Sequence, residues 1–436
     1  MRKLIALMLC AVMLMSILVS CSNTSNSGDG QTTSADDKTS DNSKAPETTM
    51  GIPSPFISAT PAEGDFSKAY VSGGTHIYYN GKIIQNISVL ACRTLGEEGN
   101  YPLCFKSGCG HGAQDCPANK ILVGDINNVI PMVVDAGIDG ENAPIYCITL
   151  SKKSSTYTKK YTLSRYDALS GELYELCELG ETIPQAIILY GDWIYLSLSE
   201  KTNKTQAIYR VSKQGGSLTC LSDEKSYATI INIVNDNLFY KDKSGKIFVC
   251  SLDAALSEMG CVGTRFGADQ EITTLVSDGY SIIGINEDCE VYAFDASDLQ
   301  NAVKVTTLTY CKDTDERCIS LSDNKLYYLK CGTKFKLGEF VEGNVTTGVN
   351  DYKIKCIGIF DLETGELSEI SINIDGILPY ELLFVNNGQL LAMGSLPKHM
   401  MEKENSNGCI LFSMNVETGG VCRYYDYFQD YSKVNP

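Results

Sequence analysis

The sequence predicts an all-β protein, a β-propeller of four-stranded antiparallel blades, and three observations support this prediction. Ile194, Leu238, Ile282 and Leu326 stand 44 residues apart in consecutive steps, each within a run of alternating apolar and polar residues. A period of this length is typical of propeller blades. Turns of the form Asp-x-x-Ser/Thr-Gly appear at three equivalent places, as hairpins of an antiparallel sheet require. No long amphipathic helix interrupts the repeats, and a pair of β-sandwiches would not explain the period.

The chain divides into seven blade-sized segments, each with several strand-like runs separated by turn residues. We therefore predict seven blades, with six or eight as alternatives, and we expect a strand near Phe66 to Val71 to close the ring by pairing with the last blade. The segments are 66–120, 121–180, 182–223, 227–264, 270–312, 315–375 and 377–428.

The N-terminus has the pattern of an export signal. A basic start, Met1-Arg2-Lys3, precedes an apolar run from Leu4 to Leu18, and small residues lead to Cys21. The run is shorter than the roughly 20 residues of a membrane-spanning helix. Its Leu-Val-Ser-Cys ending resembles the bacterial lipoprotein box, which implies a signal peptide over 1–20 and a diacylglyceryl group on Cys21. An ordinary secretory signal or an anchor helix is the alternative.

Residues 21–62 are predicted to form a tether between this anchor and a propeller domain over 63–436. From Ser22 to Thr49 the chain is almost wholly small and polar, without an aromatic residue. Such a segment cannot bury enough apolar surface to become ordered. The formal net charge of −17 makes nucleic acid an improbable partner. We expect a lipoprotein of the bacterial cell envelope that faces away from the cytoplasm, attached to the membrane through the lipid on Cys21.

A cysteine and histidine cluster ends the first segment. Cys104, Cys109, His111 and Cys116 have the spacing C-x4-C-x-H-x4-C, all within 13 residues. Three thiolates and one imidazole form a ligand set of tetrahedral structural zinc sites. Structural zinc sites more often contain C-x2-C, so two alternatives stay open. These are one disulfide with a bystander histidine, and a glycine-rich loop of thiols.

The same residues carry a resemblance to a broad group of uncharacterised bacterial propeller lipoproteins, often compared with the propellers of lipoprotein receptors. The group shows Leu-Cys, a second cysteine, a nearby histidine and a closing Cys-Pro, which correspond here to Leu103-Cys104, Cys109, His111 and Cys116-Pro117. The resemblance covers about residues 66–428. It implies the fold and the cellular location, and it implies no activity.

The remaining cysteines allow two interpretations. The chain has 18 cysteines in all, a large number for an exported protein. Neighbouring strands of one blade can carry a disulfide, and the candidate pairs are Cys250 with Cys261 and Cys409 with Cys422. The interpretation we favour is that most of the others fill small apolar sites in the sheets.

Motifs of the common enzyme classes are missing from the sequence. It contains no Gly-x-Ser-x-Gly elbow, no His-Glu-x-x-His and no phosphate-binding loop. The leading hypothesis is therefore a binding or scaffold protein for a protein, peptide or glycan, recognised by the insertions at 93–120, 332–350 and 396–407. Two alternatives are a carbohydrate-active propeller that uses paired carboxylates, and a purely structural envelope protein.

Overall fold

The structure is a computed structural model, and its described residues all lie in the second of two units of the chain, Thr48–Pro436. The predicted signal peptide and the whole of the predicted tether lie outside the described residues. The described ranges are 69–71, 76–84, 87–94, 101–104, 109, 116–121, 133–134, 144–151, 160–199, 205–222, 227–256, 262–278, 281–296, 298–308, 319–336, 350–371, 378–386, 388–395 and 409–426.

Within the described ranges, twenty-eight strands form seven sheets of four strands, and each sheet matches one predicted segment to within one residue. In every sheet the strands follow one another in chain order and pair antiparallel. The first sheet contains β1 (Ala69–Val71), β2 (His76–Ile84), β3 (Ile87–Thr94) and β4 (Tyr101–Pro102). The second contains β5 (Val133–Val134), β6 (Ile145–Leu150), β7 (Tyr161–Asp167) and β8 (Glu172–Gly180). The third contains β9 (Pro184–Tyr190), β10 (Trp193–Ser199), β11 (Gln206–Ser212) and β12 (Thr219–Cys220).

The other four sheets repeat this arrangement along the chain. The fourth contains β13 (Thr229–Val234), β14 (Asn237–Lys241), β15 (Ile247–Ser251) and β16 (Thr264–Arg265). The fifth contains β17 (Ile272–Ser277), β18 (Ile282–Asn286), β19 (Glu290–Asp295) and β20 (Asp298–Thr307). The sixth contains β21 (Ile319–Ser322), β22 (Lys325–Lys336), β23 (Asn350–Asp361) and β24 (Leu367–Ser371). The seventh contains β25 (Leu378–Asn386), β26 (Gln389–Ser395), β27 (Cys409–Asn415) and β28 (Val421–Asp426).

The first strands of successive sheets contact one another, from β1 to β5, β9, β13, β17, β21 and β25. Sheets that touch through their first strands and carry three further strands outward are the blades of a propeller. The predicted fold class is therefore confirmed, and the sheets are called blades 1 to 7 below.

The 44-residue period corresponds to one structural position. Ile194, Leu238, Ile282 and Leu326 all lie in the second strand of their blades, and each pairs with a residue near the end of the third strand. Their exposed fractions are 1% or less. The period arises because this position points into the apolar layer between blades, where a fully buried aliphatic side chain contributes about 1.5–3 kcal/mol.

The three predicted turns share one hydrogen-bond pattern. Asp361 Oδ1 accepts bonds from the backbone N–H groups two and three residues further on, at 3.0 and 2.9 Å. Asp167 does the same, and Asn415 replaces the aspartate at the third turn. The glycine that closes the first of these turns, Gly365, has φ 73°, which residues with a side chain rarely adopt.

The expected closure of the ring by a strand near Phe66 to Val71 is corrected by the register. β1 pairs with β2 of its own blade, with Tyr70 opposite Tyr78. Blade 7 is already complete, because β25 to β28 all come from residues 378–426. The N-terminal strand therefore supplies the first strand of blade 1.

Polar contacts as well as apolar ones join neighbouring blades. The N–H of Ile230 in blade 4 donates to Ser197 Oγ of blade 3 at 2.8 Å, and this serine is fully buried. Gln206 Nε2 of blade 3 donates to Thr229 Oγ1 at 2.7 Å. Because an unpaired buried polar group costs roughly 1–3 kcal/mol, these bonds fix how the two blades align.

Helices contribute little to the part of the chain that the structure describes. They are α1 (Leu252–Ala255), capped by Ser251 Oγ, and one 3₁₀ turn, Pro117–Lys120. Among the described residues we find no helix with the length and apolar character needed to cross a membrane.

We predict that Gly358→Ala destabilises the sixth blade. Gly358 lies directly opposite Tyr328, and a Cβ built on it would lie 2.2 Å from the tyrosine ring. Tyr328 is only 3% exposed and cannot move into solvent, so overpacking should cost about 1–3 kcal/mol. Urea unfolding measures this loss. The control is Gly420→Ala, where the nearest atom is 3.3 Å away on an exposed threonine, and equal unfolding of both variants would contradict the prediction.

Candidate metal centre

The chain that leaves blade 1 carries the predicted cysteine cluster. Leu103 and Cys104 follow β4 directly, and Cys116 is the N-cap of the 3₁₀ turn that begins with Pro117. Proline is favoured at that first position because its missing N–H has no partner there in any case. Ile121, just after the turn, forms a bridge to Thr149 of β6. The segment between the two cysteines is thus anchored at both ends, against blades 1 and 2.

Three of the four predicted ligands come together in space. The sulfur atoms of Cys104, Cys109 and Cys116 lie within 4.8 Å of one another. Cys104 is 4% exposed, Cys116 is fully buried and Cys109 is half-buried. His111 lies outside the described residues. The structure therefore brings together three of the four residues predicted as metal ligands.

The sulfur geometry can accommodate a metal ion. In a tetrahedral zinc site with Zn–S bonds of about 2.3 Å, neighbouring sulfurs are about 3.8 Å apart. The observed limit of 4.8 Å allows this distance after a small adjustment. Thiolate clusters select soft or borderline ions such as zinc, copper(I) and iron–sulfur groups. The three cysteines can thus hold a metal.

Burial keeps the thiol of Cys116 protonated in the absence of metal. Burial, with hydrogen bonding to Cys109 and the nearby Cys104, raises the pKa of Cys116 to about 12. A thiol with so high a pKa is a poor nucleophile, and it must release its proton when it binds a metal. Cys116 is therefore suited to be an inert thiol or a metal ligand, and not a reactive cysteine.

Blade 2 forms the wall of the cluster. An apolar group that includes Ile121, Ile145 and Cys147 packs around Cys104 and Cys116. Tyr166 of β7 belongs to the same group, and its hydroxyl donates a hydrogen bond to the carbonyl oxygen of Leu103 at 2.6 Å. Sequence reasoning missed Tyr166, because no spacing rule connects it to a carbonyl 63 residues earlier.

The predicted disulfides have different outcomes. Cys250 is disulfide-bonded, and Cys261, its predicted partner, lies outside the described residues. The second pair is corrected by the register, which sets Cys422 opposite Ser413, four residues along β27 from Cys409. Four residues of strand span about 13 Å, whereas the α-carbons of a disulfide lie about 5.5 Å apart.

Buried thiols elsewhere fit the interpretation that cysteine fills small apolar sites. Cys147 is fully buried in the same apolar group as Ile145, and burial raises its pKa. Cys177 lies on β8, the outer strand of blade 2, where burial raises its pKa to about 11. Thiols of this kind are chemically inert.

The described carboxyl groups with shifted pKa values are held as anions. A hydrogen bond from Lys304 lowers the pKa of Glu290 well below its usual range. Hydrogen bonds within their turns lower the pKa values of Asp242 and Asp361. A glycosidase acid needs a raised pKa to donate its proton near neutral pH. These three groups therefore do not fit the role of that acid.

Comparison with known proteins identifies neighbours by fold. No protein-family model matches the chain, and no curated protein matches it. A puromycin-hydrolysing peptidase of Mycobacterium tuberculosis matches with a TM-score of 0.50 and 10% identity, over 86% of this chain and 56% of that one. Dipeptidyl peptidase 4 of Porphyromonas gingivalis matches at 0.45 and 10% identity, over 86% and 61%. Sqt1 of Saccharomyces cerevisiae matches at 0.40 and 10% identity, over 87% of both.

These similarities support the fold and nothing further. At 10% identity the first match shows a shared architecture, and the TM-scores of the other two are too low to support an argument. The chain spans little more than half of the Mycobacterium peptidase, so the activity of that protein does not transfer. The narrower resemblance to propeller lipoproteins stays a prediction.

We predict that the cysteines of the metal-free cluster differ in reactivity. In the reduced protein at pH 8, iodoacetamide should label the half-buried Cys109 at least ten times faster than Cys116. The pKa of about 12 lowers the thiolate fraction of Cys116, by on the order of a hundredfold or more relative to an ordinary thiol. Peptide mass spectrometry measures both rates. Equal rates in the folded protein would contradict the burial described above, and denatured protein provides the control in which both should react alike.

Proposed function

We propose that this protein is a lipid-anchored propeller of the bacterial cell envelope that binds a protein, peptide or glycan outside the cytoplasm. The observation that carries the proposal is the frame itself, in which seven antiparallel sheets hold their connections at fixed places. Binding residues are concentrated on such loops when a rigid scaffold positions them. The absence of enzyme motifs from the sequence favours binding over catalysis.

One recognition element is supported by the backbone of blade 6. β22 and β23 each have 12 residues and pair out to Lys336 opposite Asn350. The two ends of the predicted insertion at 332–350 therefore belong to strands longer than those of the neighbouring blades, and residues 337–349 lie outside the described residues. The predicted insertion at 396–407 lies outside the described residues.

The disulfide at Cys250 supports a location outside the cytoplasm. Disulfides persist in oxidising compartments and are rare where glutathione and thioredoxin keep thiols reduced. Cys250 is only 7% exposed, within the apolar group between blades 3 and 4. A buried disulfide of this kind fits a structural crosslink in an exported protein.

The proposal includes one structural zinc ion, bound by Cys104, Cys109, His111 and Cys116. The three close sulfurs support it, together with the apolar wall that shields them from water. The zinc would supply no reaction here. It would hold together the loop that leaves blade 1, as structural zinc sites order loops that have little core of their own.

We predict that Cys21→Ala abolishes lipid attachment. The full chain is expressed in a bacterium supplied with an alkyne-tagged palmitate, and membrane and soluble fractions are compared. The natural chain should carry the label and stay with the membrane, because two acyl chains contribute about 0.8 kcal/mol per buried methylene. Cys10→Ala, inside the predicted signal, is the control and should keep the label. Label retained by Cys21→Ala would exclude this anchor.

We predict one zinc ion per chain in protein purified without oxygen. Elemental analysis should find it in the natural chain and in Cys147→Ser, and should find it lost in Cys104→Ser. Cys147 is the matched control, since it is a fully buried thiol of the same apolar group that lies outside the sulfur cluster. A natural chain that contains no zinc after mild reduction, and binds none when zinc is added, would refute the proposed site.

A further inference from the structure

Among the groups around the cysteine cluster, Tyr166 forms a hydrogen bond to the backbone next to Cys104. We infer that Tyr166 is a positioning residue of this centre, which holds the Leu103–Cys104 backbone from the neighbouring blade so that Cys104 can bind the ion. The inference rests on the metal centre proposed above. It adds that a side chain in blade 2, outside the ligand set, determines metal affinity.

The first step is the hydrogen bond to the backbone. Tyr166 is fully buried, and its hydroxyl donates to the Leu103 carbonyl oxygen at 2.6 Å. Leu103 directly precedes Cys104, so this bond fixes the peptide that carries the first ligand. Ligand segments that are held in advance lose less conformational freedom when the ion binds.

The second step is the contact with the ligand itself. The same hydroxyl lies within hydrogen-bonding reach of the Cys104 thiol. While it donates to the Leu103 carbonyl oxygen, the hydroxyl fixes the peptide next to the Cys104 ligand. Donors of this kind orient metal ligands and tune the site.

The third step concerns the two blades. Cys104 follows the last strand of blade 1, whereas Tyr166 belongs to β7 of blade 2, where it pairs with Ile145. The bridge between Ile121 and Thr149 also joins the chain that leaves blade 1 to β6 of blade 2. Metal binding and the docking of blade 1 on blade 2 are therefore linked through one hydroxyl, and each should strengthen the other.

The test is a cobalt(II) titration of the reduced full chain, followed by the thiolate-to-cobalt absorption band. Tyr166→Phe keeps the ring and removes only the hydroxyl. It should weaken cobalt binding about 10- to 100-fold, which is the usual effect of removing a group that orients a metal ligand. It should also shift the absorption band. Tyr146→Phe is the matched control, because Tyr146 is also buried in blade 2 but packs toward blade 3. Its affinity should stay within threefold of the natural chain.

Each outcome has a distinct meaning. Cobalt binding of equal strength and equal spectrum in Tyr166→Phe overturns the inference and leaves the metal centre standing. A natural chain that binds no cobalt overturns both. If Tyr166→Phe fails to fold, amide hydrogen exchange of the natural chain replaces it. Cobalt should then slow exchange in residues 161–167 as well as around the cysteines, and protection confined to the cysteines overturns the inference.

Discussion

The structure depends on one constraint, which is that each four-stranded sheet has two faces that must both be covered. Tyr146 and Ile148 of blade 2 pack against blade 3, while Cys147 and Tyr166 on the other face of the same strands pack toward blade 1. A sheet of this size is not stable with both apolar faces in water, so each blade requires two neighbours. The 44-residue period of the sequence follows from this requirement. So does the contact between Tyr166 of blade 2 and Leu103, which follows the last strand of blade 1.

Much of the fold could be predicted because its signals are local and repeated. The position of Ile194 recurs in successive blades, and Asp361 satisfies its turn with amides only two and three residues away. The prediction that an N-terminal strand closes the last blade was wrong. On pattern alone, several strands can complete an apolar sheet equally well. The pair Cys409 and Cys422 failed for a related reason, since a turn length does not determine which residues lie opposite each other in the ladder.

The cysteine cluster was partly predictable, because its signal is also local in the sequence. Cysteines within 13 residues of one another can meet through local chain geometry, and three of them do. Tyr166 reaches the cluster only because blade 2 docks on blade 1, a contact between residues 63 positions apart. Spacing therefore reveals ligands carried on one loop, whereas the partners that orient them depend on tertiary packing.

The cluster lies at a junction with little backbone pairing. The last strand of blade 1 and the first strand of blade 2 have only two residues each, Tyr101–Pro102 and Val133–Val134, as do the last strands of blades 3 and 4, whereas β10 and β11 of blade 3 have seven. Short strands provide few ladder hydrogen bonds and bury little apolar area. A bound metal at this junction would order the loop that leaves blade 1, and its binding free energy would contribute directly to the stability of the folded protein.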